Sequence, residues 1–170
     1  MNKPLGRILA IDWGERRMGL ALSDPLGLTA QGLPTAARRN TREDLNFLHA
    51  LARRHKVSLI VVGNPLNLDG SEGPPSAKAR AFAAALTRTV GAEVELWDER
   101  LTSVEAEARL GGIGGSSAVR LPGETDRTKR RERVDQLAAT ILLQSYLDTR
   151  RMRAGRNQGM APEPEAGHEE

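Results

Sequence analysis

Two apolar runs, Ile8 to Ile11 and Leu20 to Leu22, flank a polar stretch punctuated by Trp13, Gly14 and Gly19, a pattern that predicts a β-hairpin. A third strand is expected around Thr29 to Leu33. Leu45, Leu48, Leu51 and Ala52 recur at helical spacing and predict a helix over 42–55. "VSLIVVG" (57–63) is a continuous apolar run ending in glycine, as in a strand buried on both faces. "NPLNLDGSEGPP" (64–75) carries the residues of a loop, and a helix follows over 76–90. "AEVELWDE" (92–99) predicts a strand. Thr102 and Glu105 form a capping-box pattern ahead of a helix over 103–110. A Gly-rich then basic segment (111–131) precedes a last helix over 133–150. The order βββαβαβαα implies an α/β fold with a mixed five-stranded sheet flanked by helices.

Length and composition narrow the reading. The 170 residues fit one domain, placed at 1–150, with a disordered C-terminal tail at 151–170. The absence of cysteine removes disulfides, thiolate ligands and a cysteine nucleophile, and suits a reducing, cytoplasmic setting. No stretch is apolar enough for a membrane span, so no membrane partner is expected.

Charge is clustered. The net value is only +3, yet cations gather in "ARRNTR" (37–42), "DRTKRRER" (126–133, with Lys129, Arg130 and Arg131) and "TRRMRAGR" (149–156). Such clusters suit phosphate backbones, although each alone could be a solvated helix face. Aromatic residues make up only 3% of the chain, too few for a base-stacking platform.

Three acidic positions occupy analogous places. Asp12 ends the first strand, Asp98 and Glu99 end "VELWDE", and Asp135 opens the last helix. Asp135 lies in line with Ala139, Leu142 and Tyr146, so it sits on a face expected to pack on the sheet and needs a partner there. In open α/β sheets, chemistry gathers at the carboxyl ends of strands. Carboxylates brought together repel unless cations compensate, and oxygen ligands suit Mg²⁺ or Mn²⁺. Paired ions about 4 Å apart clamp the attacking and leaving oxygens of a phosphodiester. Taken singly, each acid has a plainer role as a helix-dipole, turn or cap residue.

"DWGERRMGLALSD", "VVGNPLNLDGSEGPPSAKARAFAAAL", "ELWDERLTSVEAEARL" and "VDQLAATILLQSYLD" resemble, in order and spacing, the four signature blocks of the YqgF/RuvX family. The resemblance implies an RNase H-like, RuvC-related fold. It also implies a nuclease acting in 5′-end maturation of pre-16S rRNA, with Holliday junction resolution as an alternative. Its partners would be precursor or structured rRNA, with ribosomal subunits or branched DNA as further candidates. The family's acids fall on Asp12, on the Asp98–Glu99 pair and on Asp135. Similarity favours Glu99 as the metal ligand, whereas strand alternation puts Asp98 on the face of Val94 and Leu96, so both stay open. Asn64, Asn67 and Asp69 become candidates for the crevice rim. Arg16, Arg17 and Arg100 become candidate phosphate clamps, although an Asn-rich turn can satisfy its own backbone and Arg100 can pair with Asp98. Glu15 departs from the Lys or Thr often found there in the family.

Two rivals remain. A phosphotransferase of the actin and sugar-kinase type also begins with an Asp-x-Gly hairpin but needs two such domains, too many for this length. A non-catalytic nucleic-acid-binding module would keep its activity when a carboxylate is lost. A junction resolvase would need a dimer, and the pattern leaves monomer and dimer open.

Overall fold

In the computed structural model, which describes residues 6–101 and 127–158, the alternating apolar positions become a five-stranded sheet. The strands are β1 (Arg7–Trp13), β2 (Arg17–Ser23), β3 (Ala30–Ala37), β4 (Val57–Asn64) and β5 (Glu93–Asp98). They lie in the order β3-β2-β1-β4-β5. β1 to β3 form an antiparallel meander, while β4 joins β1 and β5 joins β4 in parallel. The expected mixed five-stranded sheet is therefore present.

Among the described residues, three helices cover it: α1 (Thr41–His55), α2 (Pro74–Thr89) and α3 (Arg127–Gln158). Asn40 caps α1 by accepting from the Glu43 N–H at 3.0 Å, and Pro74 opens α2 where no helical N–H is needed. α3 is longer at both ends than the 133–150 expected. Arg127 to Arg131 are already helical, and the segment 151–158, read from composition as part of a disordered tail, continues the same helix. No Gly or Pro interrupts the chain between Arg127 and Ala154, and Arg, Lys, Glu, Leu and Ala all favour helix there. The expected capping box at Thr102 and Glu105, and the residues 159–170, lie outside the described residues.

The two-residue period sorts the sheet into two cores. Leu9, Ile11, Met18, Leu20, Ile60 and Val62 face α1 and α2, meeting Leu48, Phe82 and Leu86. Ile8, Ala10, Ala21, Leu59 and Val61 face α3, meeting Ala139, Leu142, Leu143, Tyr146 and Leu147. Trp97 closes the second core edge-on to Tyr146, with ring centroids 5.2 Å apart, and the Tyr146 hydroxyl donates to Glu95 Oε2 at 2.8 Å. Among the described residues, no helix is long and apolar enough to cross a membrane.

Candidate active site

The same parity that builds the second core also builds the site. On β1, Asp12 follows Ile8 and Ala10; on β2, Arg17 and Gly19 precede Ala21; on β4, Gly63 follows Leu59 and Val61. All of these positions face α3. Asp12 is in register with Gly19, and a side chain at Gly19 would collide with the Asp135 backbone carbonyl, so glycine lets α3 lie directly on β2 beside Asp12. At Gly63 an added Cβ would strike the Glu99 carboxylate and Leu142. Glu99 therefore lies over β4 on the α3 side, next to the strand that carries Asp12.

The backbone separates Asp98 from Glu99. β5 ends at Asp98, and Glu99 already has helical backbone, so strand alternation stops between them. Asp98 is gripped by Arg100. The Arg100 backbone N–H donates to Asp98 Oδ1 at 3.0 Å, Nε donates to the same oxygen at 3.0 Å, and Nη2 donates to Oδ2 at 2.6 Å. This fork holds the Asp98 carboxyl below its usual range. Arg100 also donates to the Leu68 carbonyl at 3.3 Å, which ties the pair to the 64–73 loop.

Asp12 and Glu99 are in the opposite condition. Both are half-buried, and neither forms a salt bridge among the described residues. Burial and then the charge of Asp135 raise the Asp12 pKa. Burial, then Asp12 and then Asp98 push Glu99 up to about 7. Asp135, which needed a partner, has one: Arg17 Nε donates to its Oδ2 at 2.8 Å. Ala139, Leu142 and Tyr146 are buried along the same line of α3, as the helical period requires.

The other predicted contacts divide. Arg16, Lys129 and Arg131 are exposed at the end of the sheet or helix where the acids lie. The side chain of Arg130 lies outside the described residues. Asn64 is buried, and its Oδ1 accepts from Ser76 Oγ at 2.6 Å, joining β4 to α2. Asn67 is exposed and folds its loop on itself: its Nδ2 donates to Ser71 Oγ at 2.8 Å, and Ser71 in turn donates to Asp69. Neither asparagine joins the carboxylates.

A buttress behind the site was not evident from composition. The Arg38 guanidinium lies 4.2 Å from the Trp13 ring centroid, donates to buried Asp44 at 3.2 Å, and reaches the Gly14 carbonyl at 3.2 Å. It fixes the turn that directly follows Asp12. The signal was the "ARR" beside a helix start, visible as charge but not as a contact.

As placed, no group of three or more acidic or histidine side chains among the described residues is gathered around one point. Asp12 and Glu99, with raised pKa values and no cation beside them among the described residues, and Asp135, held by Arg17, are all oxygen donors, the chemistry that hard divalent cations take.

The RuvX family, described as Holliday junction resolvase, matches residues 6–149. A protein of Koribacter versatilis (strain Ellin345) named "Putative pre-16S rRNA nuclease" is 46% identical over 145 residues, 85% of this chain and 88% of that one. A Moorella thermoacetica (strain ATCC 39073 / JCM 9320) protein of the same name is 47% identical over 142 residues, covering 84% and 94%. Among solved structures, the Thermus thermophilus RuvC structure aligns with a TM-score of 0.48 and 16% identity over 88% of this chain and 96% of that one.

Proposed function

The chain belongs to the RuvX family, and from that premise we propose that it is a divalent-metal-dependent nuclease that hydrolyses phosphodiester bonds in precursor 16S rRNA. The observation that carries the reading is the Asp12–Glu99 pair. These are two half-buried acids whose pKa values are raised by burial and, for Glu99, by Asp12 itself. An anionic phosphate would be repelled by this pair alone.

Asp12 and Glu99 would hold Mg²⁺ or Mn²⁺, with Asp135 beside them. When bound, the ion supplies the Lewis acid that neutralises charge on the scissile phosphate and lowers the pKa of an attacking water. The protein's own residues do the rest. Gly19 and Gly63 bring α3 and Glu99 against the strands, so the acids are set by backbone contact. Arg17 holds the Asp135 carboxylate through its Oδ2 and offsets part of its charge. Asp98, locked by Arg100, stays outside the ligand set and holds the 64–73 loop as a wall. Arg16, Lys129 and Arg131 are exposed near the acids, where they can hold flanking phosphates without touching the reacting group.

The test is cleavage of labelled precursor rRNA leader, single-stranded DNA and four-way junction DNA with Mg²⁺, Mn²⁺ or EDTA. Asp12→Asn and Glu99→Gln should each lower cleavage at least about a thousandfold while the fold persists. Preference for the rRNA leader supports the maturation role, and preference for the junction moves the substrate to branched DNA. Cleavage that survives in EDTA, or in either variant, overturns the assignment.

A further inference from the structure

One charge cluster is not used by this site. α3 carries its charge in three blocks. Residues 127–133 hold five cations against one acid, residues 134–148 hold Asp135 and Asp148 and no cation, and residues 149–158 hold Arg150, Arg151, Arg153 and Arg156 with no acid. The last block extends past the 6–149 span shared with the family. It also lies past the sheet. The inward line of Ala139, Leu142, Leu143 and Tyr146 is buried, but its continuation through Arg150 and Arg153 is exposed, as is every residue from Arg150 to Arg156.

A helix that leaves its core would ordinarily balance its surface with acids four residues from cations, or stop. This one continues for more than two turns with arginine as its only charge. Two of those arginines touch the body of the protein: Arg151 donates to the Leu28 carbonyl and to Asp148, both at 3.3 Å. The charge of Arg150 acts on Tyr146. Arg153 and Arg156 extend beyond them. A favourable interaction with the helix C-terminal dipole needs cations only in the last turn, and here they begin well before it.

We propose that the 149–158 extension is a second nucleic-acid contact, which grips the phosphate backbone of a helical duplex about one turn from the site. This rests on the nuclease reading above. At 1.5 Å per residue, Arg131 and Arg153 lie about 33 Å apart along the α3 axis. One turn of B-form duplex spans about 34 Å and one of A-form somewhat less, so a helix of this length reaches across a full turn of either with both cationic ends. The middle of α3, 134–148, carries no cation to hold a phosphate, so the grip falls on its two ends. The substrate class that fits is base-paired nucleic acid of at least one turn, read by charge and shape and not by sequence.

The experiment is fluorescence anisotropy of the full chain in EDTA, with labelled RNA duplexes of about two turns and of less than one turn, titrated over about 50 to 300 mM KCl. Arg153→Gln/Arg156→Gln should weaken binding of the long duplex about tenfold at low salt and reduce the slope of log K against log salt by about two. The short duplex reaches one end only, so its binding should change less than about twofold, and the melting temperature should stay that of the wild type. An unchanged slope, an equal loss on both duplexes, or a loss confined to binding of phosphatidylserine vesicles would overturn the proposal. The nuclease reading fails separately, through cleavage by Asp12→Asn, which leaves these slopes untouched.

Discussion

The two faces of the sheet are built from the same strands and serve different ends. The α1–α2 face is closed by large side chains, including Leu9, Ile11, Leu20, Leu48, Ile60, Phe82 and Leu86. The α3 face also packs large side chains, Leu142, Leu143, Tyr146 and Trp97, but it sets them among Ala10, Ala21 and Ala139 and has glycine at 19 and 63 where the strands meet the acids. The first face keeps its helices at a side chain's distance and yields stability. On the second, the helix and Glu99 approach the backbone itself, which is the means by which Asp135 and Glu99 are delivered to Asp12.

The sharpest way to break this contrast is a matched pair of substitutions. Leu48→Ala should cost about 3 kcal/mol by opening a cavity, and Gly19→Ala should cost a similar amount by forcing α3 away from β2. Thermal melts would show comparable losses. Cleavage per folded molecule should be unchanged in the first and reduced at least about tenfold in the second. Equal activities would mean that the close approach has no catalytic meaning.

Glu99→Gln should act in the opposite direction on stability. An acid whose folded pKa lies above its unfolded value destabilises the fold once pH exceeds the unfolded value, and the penalty is complete above the folded pKa of about 7. The variant should therefore gain about 1 to 2 kcal/mol at pH about 8 in metal-free buffer and nothing at pH about 4. Urea melts at the two pH values measure this, and a gain that is flat with pH would contradict it.

Arg17→Gln leaves Asp135 without its cation. The half-exposed ion pair contributes about 1 kcal/mol, so the loss in melting is modest. Mn²⁺ should then raise the melting temperature less than in the wild type, because Asp135 is no longer held toward the site. An unaltered Mn²⁺ response would reduce Arg17 to a structural tie.

The smallest effect belongs to Asp98→Asn. Its folded pKa is lowered, so the contribution of Asp98 is present at neutral pH and fades as pH falls through the acid range. About 0.5 to 1 kcal/mol should be lost at pH about 7 and none near pH about 2, with cleavage within about threefold of wild type. A thousandfold loss would return Asp98 to the ligand set.

Much of this was legible in the order of residues, and the limits were physical. The four blocks and the apolar runs of β1, β2 and β4 identified the sheet. The line from Asp135 to Tyr146 identified the buried face of α3. The separate surroundings of Asp98 and Glu99 were not legible, because alternation fails where a strand passes into a helical turn, and that transition lies between those two residues. Arg17 read as a phosphate clamp because sequence shows charge but not distance; its carboxylate partner is 118 positions away. The length of α3 was underestimated at both ends for a related reason. A run of exposed arginine looks like a tail in composition and like a good helix in propensity, and only the backbone distinguishes them.

The two tryptophans give the comparison an optical form. Trp13 packs with the α1–α2 core under the Arg38 cation, and Trp97 belongs to the α3 core against Tyr146; each lies within two residues of an acid of the site. Since the chain has only these two, Trp13→Phe and Trp97→Phe each leave one indole that reports on one face. The emission of Trp97 would register α3 lifting from the sheet while that of Trp13 stayed still. Read one at a time, the two indoles distinguish a change at one face of the sheet from a change at the other.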